Sequence, residues 1–373
     1  MKFIGEKQWF LTAVTTASRA SAARSPIAVL EGLLLCGSTG SSDVEITGYD
    51  LKKGIRTHFA ADVKIGGRIV LSAKVLGDIL RKLPDGAVSV ECEDNGRTVI
   101  KGGRTAYEMQ AMDAGEYPEL PEVEGDAELK VPRDTLVSMI DETIFSLSDN
   151  ESRPIYTGAL FETEGEDITI VALDGFRLAL RHEKLEGSEM QAEKFVVPGT
   201  ALSDVGKLFT EEDDEIYIGV GSRHISLRGN KTELISRRLE GDFLDYRKSI
   251  PSNFTLEFKA ERSDLIRCAD RVALFVDDRT RHPLRCVFGD SELWIRCNTP
   301  MGRAEDVCAV DGDGKGFEIG FNNRYLLEAL RAAPADQLKL SFNTSTSPCV
   351  IRAADGEEKF LYLVLPVRLR SEE

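Results

Sequence analysis

An α+β fold assembled from repeats, with largely antiparallel sheets, is what this sequence predicts. Three observations lead there. A short strand, a turn and an amphipathic helix recur at a spacing of about 127 residues. A second series of the same kind interleaves with the first. Each helix is followed by segments in which apolar and polar residues alternate, the period-two pattern of strands with one face in a core.

The first series opens at Lys2-Phe3-Ile4 with a helix over 6–17. It returns at Leu129-Lys130-Val131-Pro132 with a helix over 133–143, and at Leu256-Glu257-Phe258-Lys259 with a helix over 262–272. The second series opens at Ile69-Val70-Leu71 with a helix over 73–83. It returns at Phe195-Val196-Val197-Pro198 with a helix over 201–209, and at Phe317-Glu318-Ile319 with a helix over 324–332. Val75, Leu76, Ile79 and Leu80 are expected on one helix face, as are Leu136, Val137 and Ile140, and Leu265, Ile266 and Ala269. That is the 3.6-residue period of a helix with one apolar stripe. Val88, Val90 and Cys92 alternate with polar residues, as do Tyr107, Met109 and Ala111; residues 216–220 and 338–342 are later copies. Asp94-Asn95-Gly96-Arg97 has the composition of a hairpin turn. The chain thus divides into six half-repeats of about 60 residues, paired into three domains at 1–124, 125–252 and 253–373. Proline-containing stretches at 118–122 and 250–253 mark the joints. Three unrelated α+β domains would give a similar order of elements.

Hydrophobic residues at 42% and charged residues at 29% give an ordinary soluble balance. No apolar run approaches the ~20 residues of a membrane helix, and residues 1–6 lack the apolar core of a signal peptide, so a cytoplasmic protein without membrane partners is expected. A net charge of −16 excludes nucleic-acid binding over the whole outer surface. Any such role needs a local basic surface. The cysteines at 36, 92, 268, 286, 297, 308 and 349 form no CxxC pair and are read as reduced packing residues. His58, His182, His224 and His282 lie in no metal or triad motif, and no phosphate-binding glycine loop occurs. Residues 311–316 open like a calcium loop, but Asn322 stands where the bidentate glutamate is needed, so a flexible hairpin turn is expected. Residues 211–215 are read as a solvated acidic loop. No cofactor, metal or catalytic residue is expected; the pattern is that of a binding ring or scaffold.

Several stretches carry a resemblance: residues 116–121 (EYPELP), 152–158 (SRPIYTG), 173–180 (LDGFRLAL), 239–246 (LEGDFLDY), 319–322 (IGFN) and 363–369 (LVLPVRL). In order and spacing they resemble the bacterial β sliding clamp, the processivity subunit of replicative DNA polymerase. The resemblance implies three repeated clamp domains forming half of a ring, helices inside and sheets outside. It implies a non-catalytic head-to-tail homodimer encircling duplex DNA without regard to sequence. Its implied partners are the polymerase α subunit, the clamp loader, and other polymerases and repair proteins with short clamp-binding motifs.

Residue by residue, the resemblance implies a client-peptide pocket of Tyr156, Leu173, Gly175, Phe176, Arg177, Leu178, Leu244, Lys248, Asn322, Tyr325, Val364, Leu365, Pro366, Val367 and Arg368. Leu173, Leu178, Val364 and Val367 suit an apolar floor; Arg177 and Asn322 suit directional polar contacts. Implied DNA contacts are Arg24, Arg81, Lys82, Asn150, Lys207 and Arg267, within a wider helix set that includes Arg19, Lys74, Arg262, Arg271, Arg324 and Arg331. The implied dimer interface sets Lys74, Arg104, Tyr107 and Met109 against Leu274, Phe275, Glu305 and Asp306. The chain departs from the family pattern in several places. Phe176 stands where a polar residue is commoner, Leu244 replaces a frequent proline, Pro154-Ile155 replaces a tyrosine pair, and the loop after Pro198 is Gly199-Thr200 rather than basic. Residues 370–373 extend past the usual end and are expected to crowd the pocket. A clamp-like peptide adaptor or resistance variant not loaded on DNA is the alternative function; a DNA-metabolism enzyme on this fold would need an acid–base cluster.

Overall fold

Every half-repeat begins with a strand that runs straight into a helix and continues as three strands. The computed structural model describes residues 1–123, 128–187, 190–276, 282–314 and 316–369. The first half-repeat is β1 (Lys2–Glu6), α1 (Lys7–Ala17), β2 (Gly32–Gly37), β3 (Asp43–Tyr49) and β4 (Lys53–Ile65). The second is β5 (Gly67–Ser72), α2 (Ala73–Lys82), β6 (Ala87–Cys92), β7 (Arg97–Gly102) and β8 (Thr105–Gln110). The third is β9 (Glu128–Pro132), α3 (Arg133–Asp141), β10 (Gly158–Gly165), β11 (Asp167–Leu173) and β12 (Arg177–Lys184). The fourth is β13 (Met190–Pro198), α4 (Gly199–Leu208), β14 (Glu215–Val220), β15 (His224–Arg228) and β16 (Thr232–Arg237). The fifth is β17 (Leu256–Glu261), α5 (Arg262–Ala273), β18 (Leu284–Phe288), β19 (Glu292–Thr299) and β20 (Gly302–Ala309). After a two-residue strand, β21 (Asp311–Gly312), come β22 (Glu318–Phe321), α6 (Asn323–Ala332), β23 (Gln337–Phe342), β24 (Cys349–Ala353) and β25 (Phe360–Val364).

The helices form because each carries one apolar stripe. Phe10, Ala13, Val14 and Ala17 are buried on α1, and Leu265, Cys268, Ala269 and Val272 on α5. Val75, expected on the apolar face of α2, is 44% exposed. The buried set there is Ala73, Leu76, Gly77, Ile79 and Leu80, a stripe centred away from residue 75. Ser72 and Asn322 cap α2 and α6 through their side-chain oxygens.

Two compact units result. The first holds residues 1–136 and 200–238, the second 137–199 and 239–373. In the first, the sheet order is β8-β7-β6-β1-β4-β16-β15-β14-β9. The long β4 links distant parts of the chain, pairing antiparallel with β16 at Lys53–Thr57 and with β1 at Ala61–Ile65. Phe3, Phe10 and Phe59 form an aromatic centre, with Phe10 and Phe59 stacked at 4.8 Å. Burying such side chains stabilises by roughly 1.5–3 kcal/mol each. In the second unit the order is β13-β10-β11-β12-β25-β24-β23-β17-β21, beside a four-stranded sheet β20-β19-β18-β22. Cys268, Cys286, Cys297 and Cys349 pack in its core as free thiols.

Three local expectations change. Residues 199–200 do not form a loop but open α4; a Cβ at Gly199 would lie 2.9 Å from the Thr157 carbonyl oxygen, so the close approach needs glycine. Asp213 is not a solvated acid: it is buried and accepts from the backbone N–H of Thr210 and Asn230. Asp311 and Gly312 pair with Lys259 and Phe258 instead of turning freely. The 94–97 turn is as expected, with Gly96 at φ +81°.

Asp204 on α4 is buried and holds Lys53 at 2.5 Å and Arg19 at 3.2 Å. Removing one partner of a buried ion pair strands the other charges. Asp204→Ala is therefore expected to lower stability by about 3 kcal/mol, read as an earlier first transition in urea.

Candidate functional site: an apolar rim on two adjacent strands

The turn between β11 and β12 is built by Asp174. Its Oδ1 accepts from the backbone N–H of Phe176 at 2.8 Å and of Arg177 at 3.0 Å, an Asx turn. Gly175 takes φ +91°, which a side chain would resist. Phe176 is thereby thrust outward and is 59% exposed.

β12 pairs with β25, setting Arg177 opposite Val364 and Leu178 opposite Leu363. The chain leaving β25 is held at two points. Leu365 N–H donates to the Phe176 carbonyl at 2.8 Å, and Val367 N–H donates to the Gly320 carbonyl at 2.8 Å. A Cβ at Gly320 would meet Leu369 at 2.6 Å and the Val367 carbonyl oxygen at 2.8 Å, so glycine lets the tail lie against β22. Leu173, Leu178 and Val364 are buried, packed with Val171, Leu363 and Tyr246 or within the neighbouring core. They support a floor rather than present one. Of the expected pocket residues, the apolar ones left open are Phe176 and Leu244, which is 49% exposed, with Tyr156, Leu365, Pro366 and Val367 half-buried.

Arg177, expected to offer polar contacts, is only 6% exposed. Its Nε donates to Asp174 Oδ2 at 3.0 Å and its Nη1 to Glu328. The guanidinium lies 4.4 Å from the Tyr325 ring centre, and Tyr325 stacks in turn on Phe176 at 6.1 Å and 27°. Arg177 thus anchors an aromatic pile by ion pairing and cation–π attraction. Asn322 likewise spends its side-chain oxygen on capping α6. Lys248 and Arg368 are exposed, Lys248 beside Asp245 at 3.1 Å.

Sequence reasoning missed Asp174, Glu328, Gly320 and, above all, Glu162. On β10 every residue from Gly158 to Thr163 is buried, and Glu162 is the one acid among them. A carboxylate inside such a run is a legible signal, since an unpaired one would be costly. Its Oε2 accepts from Tyr246 Oη at 2.7 Å and from Arg247 Nη2 at 2.5 Å, and Lys194 Nζ lies 2.6 Å from Oε1. Burial opposes the charge, yet the hydrogen bonds from Arg247, Lys194 and Tyr246 outweigh it and hold the carboxyl at about 2.

The remaining expected residues lie elsewhere. Arg24, Lys82, Lys207 and Asn150 are exposed, while Arg81 pairs with Asp78 and Arg267 with Asp264. Tyr107 and Met109 sit half-buried on β8, a terminal strand of the first unit's sheet, with Arg104 just before it and Lys74 exposed on α2. Glu305 and Asp306 sit on β20, a terminal strand of the four-stranded sheet. Leu274 is 81% exposed beyond α5, and Phe275 is partly buried. Asp306, expected to face a second chain, is turned to Arg271, whose hydrogen bond holds its carboxyl below the usual range. Residues 370–373 lie outside those described. Among the described residues no His/Cys/Asp/Glu cluster fits a metal, and no helix is long and apolar enough to cross a membrane.

Models of the N-terminal, central and C-terminal domains of the DNA polymerase III beta subunit match residues 1–121, 130–245 and 247–368. The chain belongs to this family. The beta sliding clamp of Bacillus subtilis is 28% identical over 99% of this chain and all of its own. The crystal structure of the Bacillus subtilis DNA polymerase sliding clamp superposes with TM-score 0.94 at 27% identity, covering 99% of this chain and 100% of that one. A putative DNA polymerase III beta subunit from Eubacterium rectale superposes at 0.92 with 29% identity, covering 98% and 99%. The clamp fold and its three domains are thereby established, and the six half-repeats are its internal architecture.

The Glu162 network makes a pH prediction for this clamp. Its folded pKa of about 2 lies below the ordinary 4.5, so its stabilisation is present above 4.5 and is lost as pH falls towards 2. Acid titration of unfolding should show Glu162→Gln less stable than the parent at pH 7, with the two curves converging near pH 2.

Proposed function

We propose that this clamp encircles duplex DNA as a head-to-tail homodimer and tethers the replicative polymerase and other clients through the apolar rim around Phe176. The observation that carries the reading is the β12–β25 pairing, which brings residues nearly two hundred positions apart side by side. Short peptides have little area, so a few buried anchors must carry their affinity. Domain limits at 124/125 and 252/253, a cytoplasmic location, and partners comprising the polymerase α subunit, the loader and motif-bearing repair proteins belong to the same reading. So does the absence of catalysis.

The terminal strands support the dimer. β8 and β20 each end a sheet, and an edge strand offers unpaired N–H and C=O groups to another chain. Joining β8 of one copy to β20 of the next is a heterologous contact, which with two copies closes into a ring. Exposed Leu274 and half-buried Tyr107 and Met109 supply its apolar centre. DNA would be held topologically, with Arg24, Lys82, Lys207 and Asn150 making weak phosphate contacts. A second reading, a clamp-like adaptor not loaded on DNA, is favoured by how many helix cations are already ion-paired: Arg19, Arg81, Arg267, Arg271 and Arg331. Loader-dependent retention on circular DNA separates the two.

Leu178→Asp would strike the core, since Leu178 is buried. Phe176→Asp tests the pocket without that defect. It should remain folded and lose a polymerase-derived peptide by at least ~30-fold, about 2 kcal/mol; binding equal to the parent would place the pocket elsewhere. Sedimentation at micromolar concentration should give the dimer mass, and short linear duplex should bind weakly and lose affinity steeply with salt. Monomer alone, or tight salt-insensitive binding, would contradict the ring.

A further inference from the structure

Leu244 and Lys248, two of the expected pocket residues, are carried on the segment from Leu239 to Ile250. This segment has little regular structure beyond one short turn, Tyr246–Ser249. Something else must fix where they stand. Leu239 N–H donates to the Val196 carbonyl at 3.0 Å, which pins one end. Tyr156 meets Phe243 edge to face at 5.5 Å, which is an apolar and adjustable contact. The directional anchor lies between Leu244 and Lys248. Tyr246 is buried, its hydroxyl donates to Glu162 at 2.7 Å, and Arg247 reaches both oxygens of the same carboxylate at 3.2 and 2.5 Å. Lys194, opposite Glu162 across the β10–β13 ladder, completes the set at 2.6 Å.

The geometry differs from that of a merely stabilising ion pair. Glu162 sits on a rigid inner strand whose neighbours β11 and β13 fix its backbone on both sides. Tyr246 shares its apolar cluster with Leu173, Leu178 and Leu363, the support beneath the rim. One carboxylate therefore ties this segment to β10, the neighbour of β11, from which the turn at Phe176 springs. No atom of Glu162 needs to meet a client.

We propose that Glu162 is a positioning residue for client binding: through Tyr246 and Arg247, its neighbours on the same segment, it sets the placement of Leu244. The inference rests on the reading of this rim as the client site. It makes Glu162 act through Leu244, and that coupling is measurable. If Glu162 works only by presenting Leu244, removing both should cost no more than removing one. If Glu162 only stabilises the fold, its folded variant should bind like the parent; if it aids binding independently of Leu244, the two losses should multiply.

The test uses full-length clamp and a fluorescein-labelled peptide from the clamp-binding motif of the replicative polymerase, read by anisotropy. Glu162→Gln and Leu244→Ala are each expected to weaken binding about 5-fold, and the double variant also about 5-fold rather than about 25-fold, the non-additivity expected of coupled residues. Tyr246→Phe, which keeps the ring and removes the hydroxyl, should couple to Leu244→Ala in the same way and replaces Glu162→Gln if that variant does not fold. Parent-like affinity in Glu162→Gln, or losses that multiply, overturns the proposal. Phe176→Asp is the control. If it binds like the parent, the pocket reading itself has failed and the proposal falls with it. If it abolishes binding while Glu162→Gln does not weaken it, only the positioning role is wrong.

Discussion

The antiparallel pairing of β12 with β25 is the constraint on which the candidate site depends. It fixes Arg177 against Val364 and Leu178 against Leu363, and everything at the rim is referred to that register. A slip of one residue would turn every side chain to the opposite face. Leu365 would then lose its bond to the Phe176 carbonyl, and the tail its seat beside the turn. The ladder also closes the second unit's large sheet, since β25 is the joint between β10–β12 and β23–β24. Site and fold therefore share one set of hydrogen bonds.

Charge is organised by the same economy. The chain carries a net −16, and several of its helix cations are directed at neighbouring carboxylates rather than left facing solvent. Arg331 reaches from α6 to Asp270 on α5, and Arg271 reaches from α5 to Asp306 on β20. Exposed pairs of this kind add little stability in water. What they do is lower the local positive potential around α5 and α6. Arg177 and Arg181 are the contrast: both are buried, each is met by two carboxylates, and both lie on β12.

Much of the fold was legible because periodicity and repetition carry it. The six helices fall within a few residues of their expected limits, and residues 94–97 turn as their composition requires. For the candidate site, the sequence names residues without saying which are covered and which are open. Sequence spacing and resemblance bring Leu178 and Val364 together, yet cannot say that both are covered while Phe176 and Leu244 are open. That distinction depends on which neighbours pack above each residue, a tertiary fact. Arg177 shows the same limit, because its partner Glu328 is distant in sequence. Asp213 and Gly199 were misread for a simpler reason: an acidic run and a Gly-Thr pair resemble loops until their backbone partners are known.

The tail that crosses β22 is held by different means from the strand it leaves. Backbone pairing with β12 and β24 sets β25, whereas the tail's seat on β22 depends on one residue having no side chain: a Cβ at position 320 would meet Leu369 and the Val367 carbonyl oxygen. Any side chain there would lift the tail and strain the Val367 N–H bond to the residue 320 carbonyl, while the β12–β25 ladder could keep its register. Strand and tail can therefore be loosened one without the other.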